Sequence, residues 1–141
     1  ATPQLNTALA SAGITITLRD ESGVAAGGAA GSVARYLVNG AALAAFGPGF
    51  AFGTLAVNVV GSLAMGILAA LLVLPEHSQI RLLLMTGLLG GFTTFSAFSL
   101  DFLDTFDRDG AGAAALYLLA SVGLSILAAA AGMAATVRFA P

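Results

Sequence analysis

"LLGGFTTFSAFSLD", residues 88–101, lies inside a hydrophobic run and yet reads poorly as a helix. Gly90 and Gly91 stand side by side, followed by Thr93, Thr94, Ser96 and Ser99, while Phe92, Phe95 and Phe98 recur at every third position. Glycine costs about 1 kcal/mol relative to alanine in a helix interior, and β-branched threonine is also disfavoured there. The stretch therefore predicts an unwound turn within an otherwise apolar segment. At membrane depth, irregular backbone survives only where it is buried in protein or lines a cavity. An unwound turn exposes carbonyl oxygens, which are hard ligands suited to a small cation. Phe95 and Phe98 follow on one helical face. Ring edges are electropositive, so edges turned into a pore can meet an anion, whereas a plain core stripe would pack them against neighbours.

Working outward, the chain has 141 residues, of which 58% are hydrophobic and 9% charged. Soluble domains carry about 25% charged residues, so most of this surface does not face water. Cysteine is absent, which excludes disulfides and thiolate metal sites, and the lone His77 cannot build a metal site by itself. All five basic residues are arginines, the net charge is -2, and no basic patch offers a surface to nucleic acid. Residues 1–22 lack the pattern of a signal peptide. Their alternation of Ile14, Ile16 and Leu18 with Thr15, Thr17 and Arg19 resembles a strand without a partner. They are read as a flexible or surface-lying extension.

Uncharged stretches divide the remainder, residues 23–138, into one domain of four spans, 24–46, 50–74, 80–102 and 111–137. About 20 helical residues cross a hydrocarbon core of roughly 30 Å, so each span suffices. A soluble four-helix bundle would need a polar face on every helix, and none is present. The expected fold is all-α and integral to the membrane, with four transmembrane helices and a broken third. Small residues four apart, Gly27 and Gly31, Gly28 and Ser32, Ser62 and Gly66, suit close helix contact in lipid. Four helices leave little interior, so a polar pathway forms more readily where two copies meet, and a homodimer is expected. Arg19, Arg81 and Arg138 on one side against Arg108 on the other give only a shallow orientation bias.

Polar groups inside apolar helices mark a pathway or a helix contact. Thr54 and Asn58 lie four apart on one face of the second span; Tyr117, Ser121 and Ser125 repeat every four residues in the fourth. Arg35 sits midway along the first span, either lining a water-filled vestibule or pairing with backbone carbonyls. Amide hydrogens, hydroxyls and ring edges are donors and positive edges that suit a small, hard anion. No nucleophile–base pair, phosphate loop or metal cluster is present, which favours a channel over an enzyme.

The segments "GGAAGSVARY" (27–36), "GTLAVNVVGSLAMG" (53–66), "GLLGGFTTFSAFSLD" (87–101) and "YLLASVGLS" (117–125) resemble the Fluc, or CrcB, fluoride channels in the family's order. The third segment is the most specific. The resemblance covers residues 24–138 and implies an antiparallel, dual-topology homodimer in the cell membrane, enclosing two fluoride pores. It implies that Asn58 swings its amide to the ion, that Phe95 and Phe98 offer ring edges, and that Thr54, Tyr117, Ser121 and Ser125 supply hydroxyls. Arg35 matches the family's vestibule arginine. The carbonyls of Gly90 and Thr93 from both subunits match a central Na⁺ site. Asp101 stands where many members carry glutamate, and the N-terminal extension departs from the compact family pattern. The expected activity is passive export of cytoplasmic fluoride. A small multidrug-resistance exporter would need a carboxylate in its first helix, and residues 23–75 contain none. A non-transporting assembly subunit, for which the polar lines are packing, is the other alternative.

Overall fold

The computed structural model describes residues 18–73 and 77–139, and all regular structure among them is helical. Helix α1 spans Leu18–Phe46 and α2 spans Phe52–Leu71. Helix α3, residues 78–92, joins a turn at Ser78–Arg81, a π-helical stretch at Leu82–Leu89 and a last turn at Gly90–Phe92. Helix α4 is Phe95–Asp109 and α5 is Ala111–Phe139. Most of the reading of residues 1–22 lies outside the described residues, and Leu18–Ser22 open α1.

Among the described residues, three stretches are long and apolar enough to cross a membrane: Phe52–Leu71, Ser78–Asp109 and Ala111–Arg138. Helix α1 has the length, but its glycines, Arg35 and Asn39 dilute its apolar character. The sequence reading ended the third span at residue 102, where the acids begin. The backbone continues as helix to Asp109, with buried Thr105 donating back to the Asp101 carbonyl at 2.7 Å and Asp104, Asp107 and Asp109 facing outward.

Helix pairing follows the glycines. A Cβ on Gly27 would meet the Leu83 carbonyl and lie 2.8 Å from Leu88 N, and one on Gly31 would meet the Leu88 carbonyl. Helix α1 thus lies backbone-to-backbone on α3, where lipid supplies no hydrophobic drive and close contact must hold the pair. The same device joins α2 to α5: a Cβ on Gly66 would meet the Ala129 carbonyl, and one on Gly132 the Leu63 carbonyl. Helix α4 packs on α5.

At one end, Gly47 (φ 72°) and Gly110 (φ 86°) adopt the left-handed backbone that ends α1 and α4. Arg108 ties these two turns together. Its guanidinium donates to the Pro48 carbonyl at 3.2 Å and the Gly49 carbonyl at 2.7 Å, and pairs with Asp109 at 2.9 Å and Asp104 at 3.5 Å.

The core is small. Val57 and Tyr117 are its largest fully buried side chains, with Leu89, Phe98 and Ala114 beside them. Large apolar side chains face outward along every helix, Tyr36, Leu100, Leu119, Ile126 and Val137 among them. Such a surface is covered by lipid or by other protein.

Candidate functional site

Thr93 (φ −80°, ψ 158°) and Thr94 (φ −155°, ψ 126°) are extended, so the α3 helix stops and α4 restarts two residues later. Each end of this break is secured locally. Thr93 N–H closes the last turn of α3 on the Leu89 carbonyl at 2.9 Å, and its hydroxyl donates to the same oxygen at 2.9 Å. The Thr94 hydroxyl caps α4 by accepting from Ala97 N at 3.2 Å. Threonine is a favoured N-cap because its oxygen satisfies an orphan helical N–H. The residues that made this stretch a poor helix in the sequence are therefore the ones that terminate and restart it.

The extended pair leaves backbone groups without helical partners, and side chains from two other helices take them. From α2, Asn58 Oδ1 accepts from Thr94 N at 2.8 Å while its Nδ2 donates to Thr94 O at 2.9 Å. From α1, Arg35 Nη1 donates to Thr93 O at 3.4 Å. Of the two readings left open for Arg35, the carbonyl contact is the one present. In a continuous helix Thr94 N–H would serve the Gly90 carbonyl. With that N–H committed to Asn58, the Gly90 oxygen is released at an exposed position.

Beside the break lies an open groove of about 280 Å³, lined by Asn58, Ser62, Thr93, Thr94, Phe95, Phe98, Ser121, Val122 and Ser125. It brings together, from three separate spans, five of the seven residues assigned to the pore in the sequence reading, Asn58, Phe95, Phe98, Ser121 and Ser125, together with Thr93 of the expected cation site. Among the described residues, no carboxylate, lysine or arginine lines it. Ser121 Oγ and Ser125 Oγ are buried without a hydrogen-bond partner. Buried hydroxyls are nearly always bonded, so two orphans in one groove are unusual. The two phenylalanines differ: Phe98 is 6% exposed and Phe95 75%, although their ring centroids are 5.3 Å apart.

A second cavity, about 360 Å³, opens at the Arg108 end and is lined by Asn39, Thr54, Asp101, Asp104 and Arg108 among others. Between the two cavities sits Tyr117, with Phe98 at 5.5 Å and Phe50 at 5.4 Å, the Phe50 ring plane nearly perpendicular to the phenol. Its phenol donates to Asp101 Oδ2 at 3.3 Å and lies alongside the Thr54 and Ser121 hydroxyls. Thr54 lines the second cavity and Tyr117 lines neither, so both lie outside the lining of the groove. The sequence reading did not place Ser62 and Thr94 in the groove. Ser62 was legible by spacing, one turn after Asn58 on the same face. Arg35 lines neither cavity.

Residues 22–133 match the family described as CrcB-like protein, Camphor Resistance (CrcB). The chain belongs to the CrcB family. A relative from Rhizobium etli is 55% identical over 113 residues, covering 79% of this chain and 90% of its own. One from Cereibacter sphaeroides is 54% identical over 112 residues, with the same coverage of each chain. One from Agrobacterium fabrum is 52% identical over 113 residues. All three relatives are named fluoride-specific ion channel FluC. As a CrcB chain with several long apolar helices, this is a multi-pass membrane protein rather than an enzyme, and the small multidrug-resistance alternative falls away.

Proposed function

We propose that the chain is a fluoride channel of the cell membrane that lets cytoplasmic fluoride leave passively. Relatives at 52–55% identity carry that name. The observation that carries the reading is the groove: two unpartnered buried hydroxyls and a polarised amide facing two phenylalanines, with no fixed charge. Fluoride holds its water tightly, so a selective path must replace that shell, yet hold the ion weakly enough at several sites to release it. Asn58 spends one amide hydrogen on Thr94, and its second is available to the ion. Ser121 and Ser125 supply hydroxyl donors one helical turn apart. The Phe95 and Phe98 rings contribute electropositive edges. A carboxylate in the groove would repel the anion, and the nearest, Asp101, is held by Tyr117 beyond Phe98.

Two copies in antiparallel, dual-topology arrangement complete the channel. A groove lined by an amide and several hydroxyls and open along one side makes poor sense for a lone subunit in lipid. A second copy closing it produces two equivalent pores. The carbonyl oxygens of Gly90 and Thr93 would hold a structural Na⁺ where the copies meet. The donor set is suitable: both are hard oxygen ligands, Gly90 O lacks its helical partner, and Thr93 O retains a lone pair beside the Arg35 contact. When bound, the ion ties the two breaks together. Residues 23–138 form the channel domain, and Thr54, Tyr117 and Asp101 form the approach.

The test is fluoride efflux from liposomes containing the purified protein, followed with a fluoride electrode. Rapid fluoride release with retention of chloride is expected. Vesicles that stay tight to fluoride overturn the proposal, and a strictly monomeric protein overturns the paired arrangement.

A further inference from the structure

The Asn58 side chain meets Thr94 in the manner of a neighbouring strand: its carbonyl oxygen takes the backbone N–H at 2.8 Å, and its amide serves the backbone C=O at 2.9 Å. Both polar groups of the second break residue are thereby satisfied by one side chain from another helix. A buried backbone group left without a partner is costly, and no water is available at membrane depth to relieve it. Asn and Gln carry a neutral donor and acceptor side by side without needing a proton from solution, and Asn58 supplies that pair from α2. The neighbouring Thr93 carbonyl is met from α1 by Arg35 at 3.4 Å. The break is thus held from two sides, and the α2 contact is the shorter.

We infer that Asn58 is a positioning residue as well as a donor in the groove: it holds the α3–α4 break in its extended form. This deepens the channel reading above and rests on it. The same clamp keeps Thr94 N–H away from Gly90 O, so the groove and the released carbonyl depend on one side chain. Loosening it lets the backbone rewind toward helix, which removes the free carbonyl and turns Phe95 and Phe98.

The substitution Asn58→Asp separates the two jobs. The ionised carboxylate of that variant can accept from Thr94 N–H but repels the Thr94 carbonyl. The protonated carboxyl restores both bonds and leaves no hydrogen for the ion. Lowering the pH carries the variant from the first state to the second. The charged and titratable groups closest to the pair are Arg35, on the Thr93 carbonyl, and Asp101, bonded to Tyr117 beyond Phe98.

Amide hydrogen exchange of purified wild type, Asn58→Leu and Asn58→Asp, corrected for the intrinsic effect of pH, reads the clamp without any flux. Thr94 N–H is the reporter, and residues 111–139 of α5 are the internal control. Exchange at Thr94 is expected to quicken about tenfold or more in Asn58→Leu, the factor given by losing one buried hydrogen bond. Asn58→Asp is expected to behave like Asn58→Leu at neutral pH and to return within about threefold of wild type once protonated. Its fluoride flux stays low at both pH values. Unchanged Thr94 exchange in Asn58→Leu, or acceleration spread equally over residues 111–139, overturns the clamp. Failure of the fluoride reading shows separately, as absent flux in the wild type.

Discussion

Ser121 and Ser125 give a prediction in which stability and activity move in opposite directions. Both Oγ atoms are buried without a formed hydrogen bond, Ser121 lying alongside the Tyr117 phenol and Ser125 away from it. A hydroxyl in that state costs roughly 1–3 kcal/mol compared with one that is bonded or solvated. Replacing serine by alanine removes the stranded group, and alanine is also the better helix former by a few tenths of a kcal/mol. Both residues lie inside α5, so no cap or turn is lost. The double variant Ser121→Ala/Ser125→Ala is therefore expected to be more stable than wild type by about 2 kcal/mol at the low end of that range. For a chain of this size the shift corresponds to a rise in Tm of roughly 5 °C.

Flux should fall. A hydrogen bond to a charged partner contributes about 1.5–3 kcal/mol, and each 1.36 kcal/mol on a barrier is a factor of ten in rate. Loss of two donors from the dehydrated path predicts fluoride efflux at least about a hundredfold slower. The assays are thermal unfolding of purified protein and electrode-monitored efflux from liposomes. A double variant that is less stable than wild type and conducts normally would refute the reasoning. That outcome means the serines bond their own helix backbone, as isolated serines in membrane helices often do.

The helix contacts make a paired test. Gly31→Ala puts a Cβ against the Leu88 carbonyl and 2.8 Å from Phe92 N, backbone atoms that cannot move alone, so destabilisation of about 1–3 kcal/mol is expected by thermal unfolding. Gly123→Ala meets nothing within 4 Å and should stabilise α5 by about 0.5–1 kcal/mol; equal effects at the two positions would contradict the packing described. Arg108→Ala should speed proteolysis at the 47–50 turn, because the guanidinium holds the Pro48 and Gly49 carbonyls. The side chain is 41% exposed, so its effect on global stability should stay within roughly 1 kcal/mol, and a much larger loss would mean that the clamp does more than tie the turns.

The apolar runs were legible because hydropathy reports what the environment demands, and the helices Phe52–Leu71 and Ala111–Phe139 lie close to the spans read at 50–74 and 111–137. Acidity misled the reading at the end of α4: a charge run was taken as a stop, whereas Asp104 and Asp107 occupy the outer face of a continuing helix. The π-helical stretch Leu82–Leu89 carries no signal in its own residues, which are ordinary leucines, a methionine, a threonine and a glycine. It faces α1 at Gly27 and Gly31, an environment visible only once the two helices are brought together. Grouping of Asn58, Phe95, Phe98, Ser121 and Ser125 into one groove was anticipated from their chemistry, and spacing alone placed them on three unrelated segments. Pairing between Asn58 and Thr94 was out of reach of sequence, since nothing local distinguishes an amide that bonds backbone from one that bonds another side chain.

Why a membrane chain would place its least regular backbone between Gly90 and Phe95 follows from what a thin bundle lacks. Four or five apolar helices of this length enclose almost no polar interior, as the small core around Val57 and Tyr117 demonstrates. Helical backbone contributes no free donors or acceptors, because its groups are consumed within the helix. Introducing a polar site through charged side chains would be costly in lipid and would bind an anion too tightly to release it, or repel it outright. A two-residue extended break supplies neutral polar groups instead, at a cost confined to a few hydrogen bonds. Here that cost is offset by Asn58, Arg35 and the Thr94 cap, each a long-range or local bond to backbone that the break exposed. What remains unsatisfied faces the groove and the released Gly90 carbonyl, the two places where an ion can complete the set.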